Sequence, residues 1–432
     1  MDPIKVGLLG LGNVGSGVWE ILQRNSEQIA RRAAGSLEVA GVLVRSIDKP
    51  RQVVVPRSLL TTDAWSLIND PEIPIIVETI GCSGGTTEPA RSYIIAALKA
   101  GKHVVTANKE VLAKHANELY AALAEGRGGL YFEAAVAGGI PIIKAFKESL
   151  AANKTQTLMG IINGTTNYML TRMANESLSF ADVLADAQRL GYAEPDPTSD
   201  VEGDDAAYKL AILASIAFEA DIDVNQVYRE GITKITPEDL AYAEQLGFVV
   251  KLLAIAKSDG DAIEARVHPT MIPAKHPLAS VNDVFNAVFV QGDAVGDLMF
   301  YGRGAGSLPT GSAVVADCID AAHNIRRGVS APRNGHREPS KLKSITETSS
   351  RYYINLRVVD RPGVLATIAA VFGESNVSIE SMIQKGQKQD PVTLAFVTHQ
   401  VIERDLQAAL DRIKDLPVVR EIYNVIRVEG EA

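Results

Sequence analysis

The chain is short of the residues that staple or anchor a fold from outside its core. It has two cysteines, Cys82 and Cys318, in 432 residues. That is too few for a disulfide framework or a cysteine zinc site, so a reducing compartment is expected. No apolar run approaches the ~18 residues needed to span a bilayer, and Met1 leads directly into an apolar strand without a signal segment. These absences predict a cytoplasmic protein with no membrane partner. Positive charge is scarce as well: 43 Lys and Arg against 52 Asp and Glu leave a net charge of -9, and nucleic acid binding needs a basic face. The local exception is 324–343, with six Lys or Arg against one acid among Gly, Pro and Ser, a composition that reads as a solvated linker.

What is present is core. Hydrophobic residues make up 46% of the chain, and its 432 residues suffice for roughly three domains at about 150 residues each. The first domain is expected over 1–140. There the apolar strand Lys5-Val6-Gly7-Leu8-Leu9 runs into Gly10-Leu11-Gly12-Asn13-Val14-Gly15, and a helix with apolar Val14, Val18, Ile21 and Leu22 follows. Strand before and helix after turn a weak glycine pattern into a dinucleotide-binding Rossmann signature, because glycine lets backbone N–H groups approach a pyrophosphate at a helix N-terminus. Gly10, Gly12, Asn13, Val14 and Gly15 are the expected cofactor contacts. The next strand ends in Val44-Arg45-Ser46, where such folds commonly place an acid on the ribose 2′-hydroxyl. Arg45 suits a 2′-phosphate instead, so NADP(H) is favoured with NAD(H) possible. A later strand ends on Thr106-Ala107-Asn108-Lys109, which puts Lys109 at the carboxyl edge of the sheet, where ligands sit. The segment Glu133-Ala134-Ala135-Val136-Ala137-Gly138-Gly139-Ile140 has two readings: an ordinary strand-to-helix turn, or a carboxylate and inward-turned carbonyls caging a hard monovalent cation such as Na⁺.

From 141 to 311 helical and strand patterns mix as a second, α+β domain. Between Gly191 and Leu213 it carries six carboxylates, Glu194, Asp196, Asp200, Glu202, Asp204 and Asp205, and a single lysine, Lys209. Pro195 and Pro197 stop any helix before about Thr198, and apolar Leu210, Leu213, Ala214 and Ala217 predict one over 202–218. Asp205 and Lys209, at i and i+4, then share a face. The bland reading is a surface ion pair of about 0.3–0.5 kcal/mol. The sharper one is a half-buried lysine that gives a proton to a developing alkoxide, with the acidic loop holding a cationic substrate group. A glycine loop, Gly302 to Gly306, is expected to reach the bound cofactor through Gly306, and a helix over 312–324 to pack back on the first domain. After a basic linker over 325–350, residues 351–429 read as βαββαβ, a ferredoxin-like module without a catalytic residue set.

These residues resemble homoserine dehydrogenase of the monofunctional bacterial type with a C-terminal ACT domain. The resemblance runs from Gly10 to about Val428 and rests on Thr106-Ala107-Asn108-Lys109, Asn163-Gly164-Thr165-Thr166-Asn167-Tyr168, Gly191-Tyr192-Ala193-Glu194-Pro195-Asp196-Pro197, the Asp205 and Lys209 pair, and Asp360-Arg361-Pro362-Gly363-Val364-Leu365. It implies reduction of L-aspartate 4-semialdehyde to L-homoserine with NAD(P)H. It further implies that Lys209 is the proton donor, Asp205 its partner, and Glu194 the residue on the substrate ammonium. Asp200, Tyr192, Gly164 and Thr165 become further substrate contacts, and Lys109 a lysine reaching nicotinamide and substrate. Glu133 with the carbonyls of Val136, Gly138 and Ile140 resembles the family's sodium site. Asp360, Gly363, Val364, Leu365 and Asn376 stand where ACT domains hold an amino acid between paired copies, with threonine the expected effector. The family also implies a homodimer, with a tetramer possible through the ACT domains. The chain departs from the family in its lengthened loop Gly81 to Thr87 and in Ser199, where some members carry an acid. Two rival functions differ in class. Aspartate-semialdehyde dehydrogenase acylates a cysteine, which needs a thiol beside a base; a catalytically dead amino-acid sensor would not keep Lys109, Glu194, Asp205 and Lys209 together.

Overall fold

A computed structural model describes residues 2–82, 85–329, 338–385 and 391–430. By its own contacts the chain forms two compact units, one made of 1–154, 211–224 and 300–339 and the other of 155–210, 225–299 and 340–432. Ser83 and Gly84 of the lengthened loop, and 330–337 of the expected linker, lie outside the described residues.

In the first unit six strands form a parallel sheet in the order Leu60–Thr61, Leu37–Leu43, Ile4–Leu9, Ile75–Glu78, His103–Thr106, Gly129–Tyr131. Parallel strands covered on both faces read as continuous apolar runs, and Val6, Leu8, Leu9, Ile75, Ile76 and Val77 are all fully buried. The strand order reverses beside Ile4–Leu9, the switch point at which such sheets open a ligand crevice. The first glycine is required there: Gly10 has φ +106°, and a Cβ on it would stand 3.0 Å from the Thr79 carbonyl oxygen. The helix Asn13–Arg24 follows, burying Val18, Ile21 and Leu22 as its spacing predicts. The long helix Ser307–Arg327 packs against it, with Val314, Cys318 and Ala321 in the same core as Val18. This helix starts five residues before the expected 312, because a proline in the first turn, here Pro309, forfeits no intrahelical hydrogen bond.

The second unit is organised by one sheet that runs Phe285–Gly292, Thr155–Ile161, Phe248–Ser258, Ile263–Pro273, Val419–Val428, Ser349–Val358, Val392–Thr398, Ile379–Lys385. Its last four strands, with the helices Val364–Glu374 and Glu403–Lys414, are the expected βαββαβ module, closed around Ile354, Leu356, Phe372, Phe396, Leu406 and Ile413. The junction was not expected. The module's final strand pairs in parallel with Ile263–Pro273, Thr270 facing Arg427 and Met271 facing Val428, so its sheet continues the neighbouring one. The described end of the basic segment is also tied down: the Ile263 amide donates to the Lys341 carbonyl and the Lys343 amide to the Ile263 carbonyl, each at 2.9 Å.

Candidate active site

The nucleotide crevice is a cavity of about 550 Å³ lined by the glycine turn (Gly10, Leu11, Gly12, Asn13), by Ser16, by the tip of the second strand (Val44, Arg45, Ser46) and by Thr79 to Gly81. Lys49 and Arg51 join Arg45 in its wall, and none of the described residues that line it is an acid. The acid of this loop, Asp48, is drawn to Arg57 at 2.8 Å. Arg51 folds over the loop, donating to the carbonyls of Ile47 (2.9 Å) and Lys49 (2.8 Å). Val14 is part of the helix that opens here and is half-buried against the core rather than in the cavity wall. Gly306 caps the helix Ser307–Arg327 with φ +124°, and the next residue ties it to the glycine turn, Ser307 Oγ donating to the Asn13 carbonyl at 2.7 Å.

Behind this turn the ends of two strands are joined by a network that the sequence reading missed. Glu78, fully buried, accepts from the Thr106 hydroxyl and the Ile80 amide, each at 2.6 Å. Asn108 donates to the Ile80 carbonyl (2.9 Å) and caps the helix Lys109–Glu125 by accepting from the Val111 amide (3.2 Å). Lys109 is therefore the first residue of a capped helix at the carboxyl edge of the sheet. Burial pushes the Glu78 carboxyl up to about 7, against the hydrogen bonds from Thr106 and Ile80.

The other candidate group lies in the second unit and centres on Asn163, which follows the strand Thr155–Ile161. An Asn before a helix is an N-cap signal, and Asn163 Oδ1 accepts from the Thr166 amide at 2.9 Å to cap Gly164–Glu176. Its amide nitrogen donates to Asp200 Oδ1 at 2.7 Å and Asp205 Oδ2 at 2.8 Å, gathering two carboxylates that would otherwise repel. Lys209 donates to the same Asp205 oxygen at 2.7 Å and to the Ile162 carbonyl at 2.8 Å, with its side chain 12% exposed. This is a part-buried, oriented ammonium and not the surface pair of the bland reading. The helix that carries it is Asp204–Ala217, two residues shorter at its start than expected. Gly203, at φ +87°, separates it from a short helix Thr198–Val201 that carries Asp200.

Three further contacts engage acids of the loop. Asp196 accepts from the Thr198 hydroxyl at 2.7 Å, a bond that holds its carboxyl below the usual range. Asp204 pairs with Arg229 at 2.6 Å and Asp205 with Lys209. Glu194 is left exposed on the loop. Thr165 Oγ1 donates to the Tyr192 carbonyl at 2.8 Å, and the Tyr168 and Tyr192 rings meet edge to face 5.0 Å apart, so the 191–195 loop is moored to the Asn163 helix. Gly164 leaves no room for a side chain, since a Cβ would stand 2.8 Å from the Val284 carbonyl oxygen.

The residues of the cation-cage reading lie at the start of the next helix. The Glu133 carboxylate accepts from the amides of Ile143 (2.8 Å) and Lys144 (2.7 Å), in the first turn of the next helix. The Ile140 carbonyl accepts from the Ile142 amide at 2.8 Å. Ala137 and Gly138 both have positive φ, +54° and +48°, which rotates their peptide planes in the way a carbonyl-lined turn requires. Among the described residues no cluster of His, Cys, Asp and Glu has the arrangement of a metal site. Neither thiol suits nucleophilic catalysis: the Cys82 thiol donates to Asn108 Oδ1 at 3.3 Å, Cys318 is fully buried, and burial raises both above the ordinary thiol value. In the C-terminal module Gly363 opens the helix Val364–Glu374 at φ +90°, Asn376 takes φ +58°, and Asp360 and Leu365 are exposed beside them while Val364 is buried.

Three family models match the chain: homoserine dehydrogenase over residues 141–319, homoserine dehydrogenase, NAD binding domain, over 10–133, and ACT domain over 352–418. The homoserine dehydrogenase of Corynebacterium glutamicum is 47% identical over 435 residues, covering 100% of this chain and 96% of that protein. That of Bacillus subtilis is 42% identical over 434 residues, covering 100% and 99%. A solved homoserine dehydrogenase from Thiobacillus denitrificans superposes with a TM-score of 0.93 at 45% identity, covering 99% of each chain.

Proposed function

The chain belongs to the homoserine dehydrogenase family, an oxidoreductase acting on L-aspartate 4-semialdehyde and L-homoserine with a nicotinamide cofactor, and from that premise we propose how its residues divide the reaction. The observation that carries the assignment is the posture of Lys209. Two of its three N–H donors are held by Ile162 and Asp205, and the third is the group we assign to the substrate's carbonyl oxygen. A bound nicotinamide dinucleotide supplies the hydride to the aldehyde carbon. Lys209 stabilises the negative charge that this puts on oxygen and transfers a proton to it. Asp205 and the Ile162 carbonyl keep the ammonium aimed, and Asn163 keeps Asp205 and Asp200 from parting. Glu194 takes the substrate's α-ammonium, with Asp200, Gly164, Thr165 and Tyr192 shaping the space around it. Lys109 is the second lysine, contacting nicotinamide and the reacting end of the substrate. The test is NADPH oxidation with L-aspartate 4-semialdehyde after thiol alkylation: activity should survive with homoserine as product, whereas loss on alkylation would favour a cysteine acyl-transfer enzyme.

We propose NADP(H) as the preferred cofactor, because Arg45, Lys49 and Arg51 line an acid-free crevice and a 2′-phosphate would meet three cations. kcat/KM should favour NADPH in the wild type, and Arg45→Ala should erase much of that preference. A wild-type preference for NADH would remove Arg45 as selector. A monovalent cation, Na⁺ in this reading, is held by Glu133 with the main-chain carbonyls of Val136, Gly138 and Ile140, since a carboxylate that accepts two amide bonds keeps further lone pairs.

The ACT module points to a small-molecule effector, and we propose threonine, held by Asp360, Gly363, Val364, Leu365 and Asn376 between paired modules of a cytoplasmic homodimer. Asn376→Ala in the full chain should abolish threonine inhibition while leaving the basal rate intact. Inhibition that survives this change places the effector elsewhere. No described helix is long and apolar enough to cross a membrane.

A further inference from the structure

The segment from Tyr228 to Ile232 lies between the ACT module's last strand and the turn that carries the proposed catalytic acids. On one side, Tyr228–Arg229 pairs in parallel with Ile263–Pro273, Arg266 facing Tyr228 and Val267 facing Arg229, and the Glu230 amide donates to the Val267 carbonyl at 2.8 Å. Arg427 of the strand Val419–Val428 reaches over the same segment. Its guanidinium pairs with Glu230 at 3.1 Å, donates to the Tyr228 hydroxyl at 3.3 Å and stands 4.9 Å from the centre of that ring. Tyr228 closes the triangle by donating to Glu230 Oε2 at 3.2 Å. Two bonds from Arg427 to Glu403, each 2.9 Å, fix the guanidinium within the module.

On the other side the segment grips the catalytic turn. Arg229 pairs with Asp204, the first residue of the Lys209 helix, at 2.6 Å. The Ile232 amide donates to the Val201 carbonyl at 2.8 Å, at the end of the short helix that carries Asp200. Two glycines permit this approach. A Cβ on Gly231 would collide with the Val201 carbonyl and Glu202, and one on Gly203 would lie 3.3 Å from Val267. Asp200 and Asp205 therefore sit on a turn whose backbone is held from behind by 229–232, and those residues are held in turn by Arg427.

We infer that Arg229 and Glu230 are positioning residues for the reduction: they relay the placement of the ACT module's last strand to the turn that aims Asp205 and Lys209. The inference rests on the assignment of those two residues as the proton-donating pair. As stabilisers the pairs are minor. Arg229 and Asp204 are 41% and 31% exposed, in the range where ion pairs contribute little to folding. Their effect on alignment is larger, since small displacements of a catalytic group lower turnover steeply.

The experiment uses the full chain with Arg229→Gln, Glu230→Gln, Asp204→Asn, and Glu230→Gln combined with Asp204→Asn. Each single variant should lower kcat about three- to tenfold, with NADPH affinity unchanged, because the nucleotide crevice is untouched. The double variant should fall little further than the weaker single, as expected for groups in one chain of contacts. Arg229→Lys should recover most of the rate. Unchanged kcat in both Arg229→Gln and Glu230→Gln, or effects in the double variant that simply multiply, overturns the inference. Should Glu230→Gln unfold the module, the Arg229 variants decide alone. Lys209→Ala separates the two claims: if it is inactive while Arg229→Gln and Glu230→Gln run at wild-type rate, only the relay fails, and if it retains turnover, the donor assignment fails.

Discussion

Glu78 ends the strand Ile75–Glu78 fully buried, between the Thr106 hydroxyl and the Ile80 amide. Burial raises its carboxyl from 4.5 to about 7. Asp317, buried on the helix Ser307–Arg327, is likewise raised to about 7 by burial, the nearby Lys144 opposing. The folded chain then keeps protons that the unfolded chain releases. This contribution to stability is full below about 4.5 and is lost as pH rises through about 7. For Glu78 it is on the order of 3 kcal/mol. The melting temperature of the ligand-free protein should therefore decline across that window, and Glu78→Gln should make the decline shallower while Asp317 keeps part of it. Identical profiles for both proteins would mean that Glu78 is ionised throughout.

Helix ends and strand ends place nearly every candidate residue, and they differ in how far sequence reveals them. The glycine turn after Ile4–Leu9 and the i, i+4 pair of Asp205 and Lys209 were legible because each is a local pattern with its own physical reason. The start of the Lys209 helix was misjudged by two residues because the break at Gly203 exists to admit Val267 and the 229–232 segment, partners some 25 to 65 residues away along the chain. The amide partners of Glu133 were hidden for a related reason: only the fold shows that its carboxylate accepts from Ile143 and Lys144. Asn163 was within reach, since Asn before a helix signals a cap, but its second function as the bridge between Asp200 and Asp205 depends on tertiary contact. Asn163→Ala should cost about 1 kcal/mol from the lost cap and lower kcat by tenfold or more as the two acids separate, on the scale set by misplaced catalytic groups. Asn163→Asp should keep the cap yet lose the rate, because a third carboxylate repels the pair. Urea unfolding measured beside steady-state kinetics checks both, and a full rate in Asn163→Asp would show that the bridge does not matter.

Across the chain as a whole, the ACT module is less detachable than a polar linker suggested. Its final strand continues the neighbouring sheet, and Glu429 pairs with the fully buried Arg266 and, at 2.6 Å, with Lys257. Asp239, also buried, accepts from Tyr353 at 3.2 Å and from Asn424 at 2.8 Å. Removing 345–432 would bare a strand edge and take Glu429 from Arg266, which would keep Glu264, 2.6 Å away, as its partner. The truncated chain should thus be unstable or aggregated, and a truncated enzyme that melts like the full chain would show the junction to be dispensable. The account turns, finally, on Lys209. The direct measurement is kcat of Lys209→Ala with NADPH affinity determined on the same protein by fluorescence titration. The account predicts a fall in kcat of about 10²-fold or more with nucleotide affinity unchanged, and a near-normal kcat would contradict it.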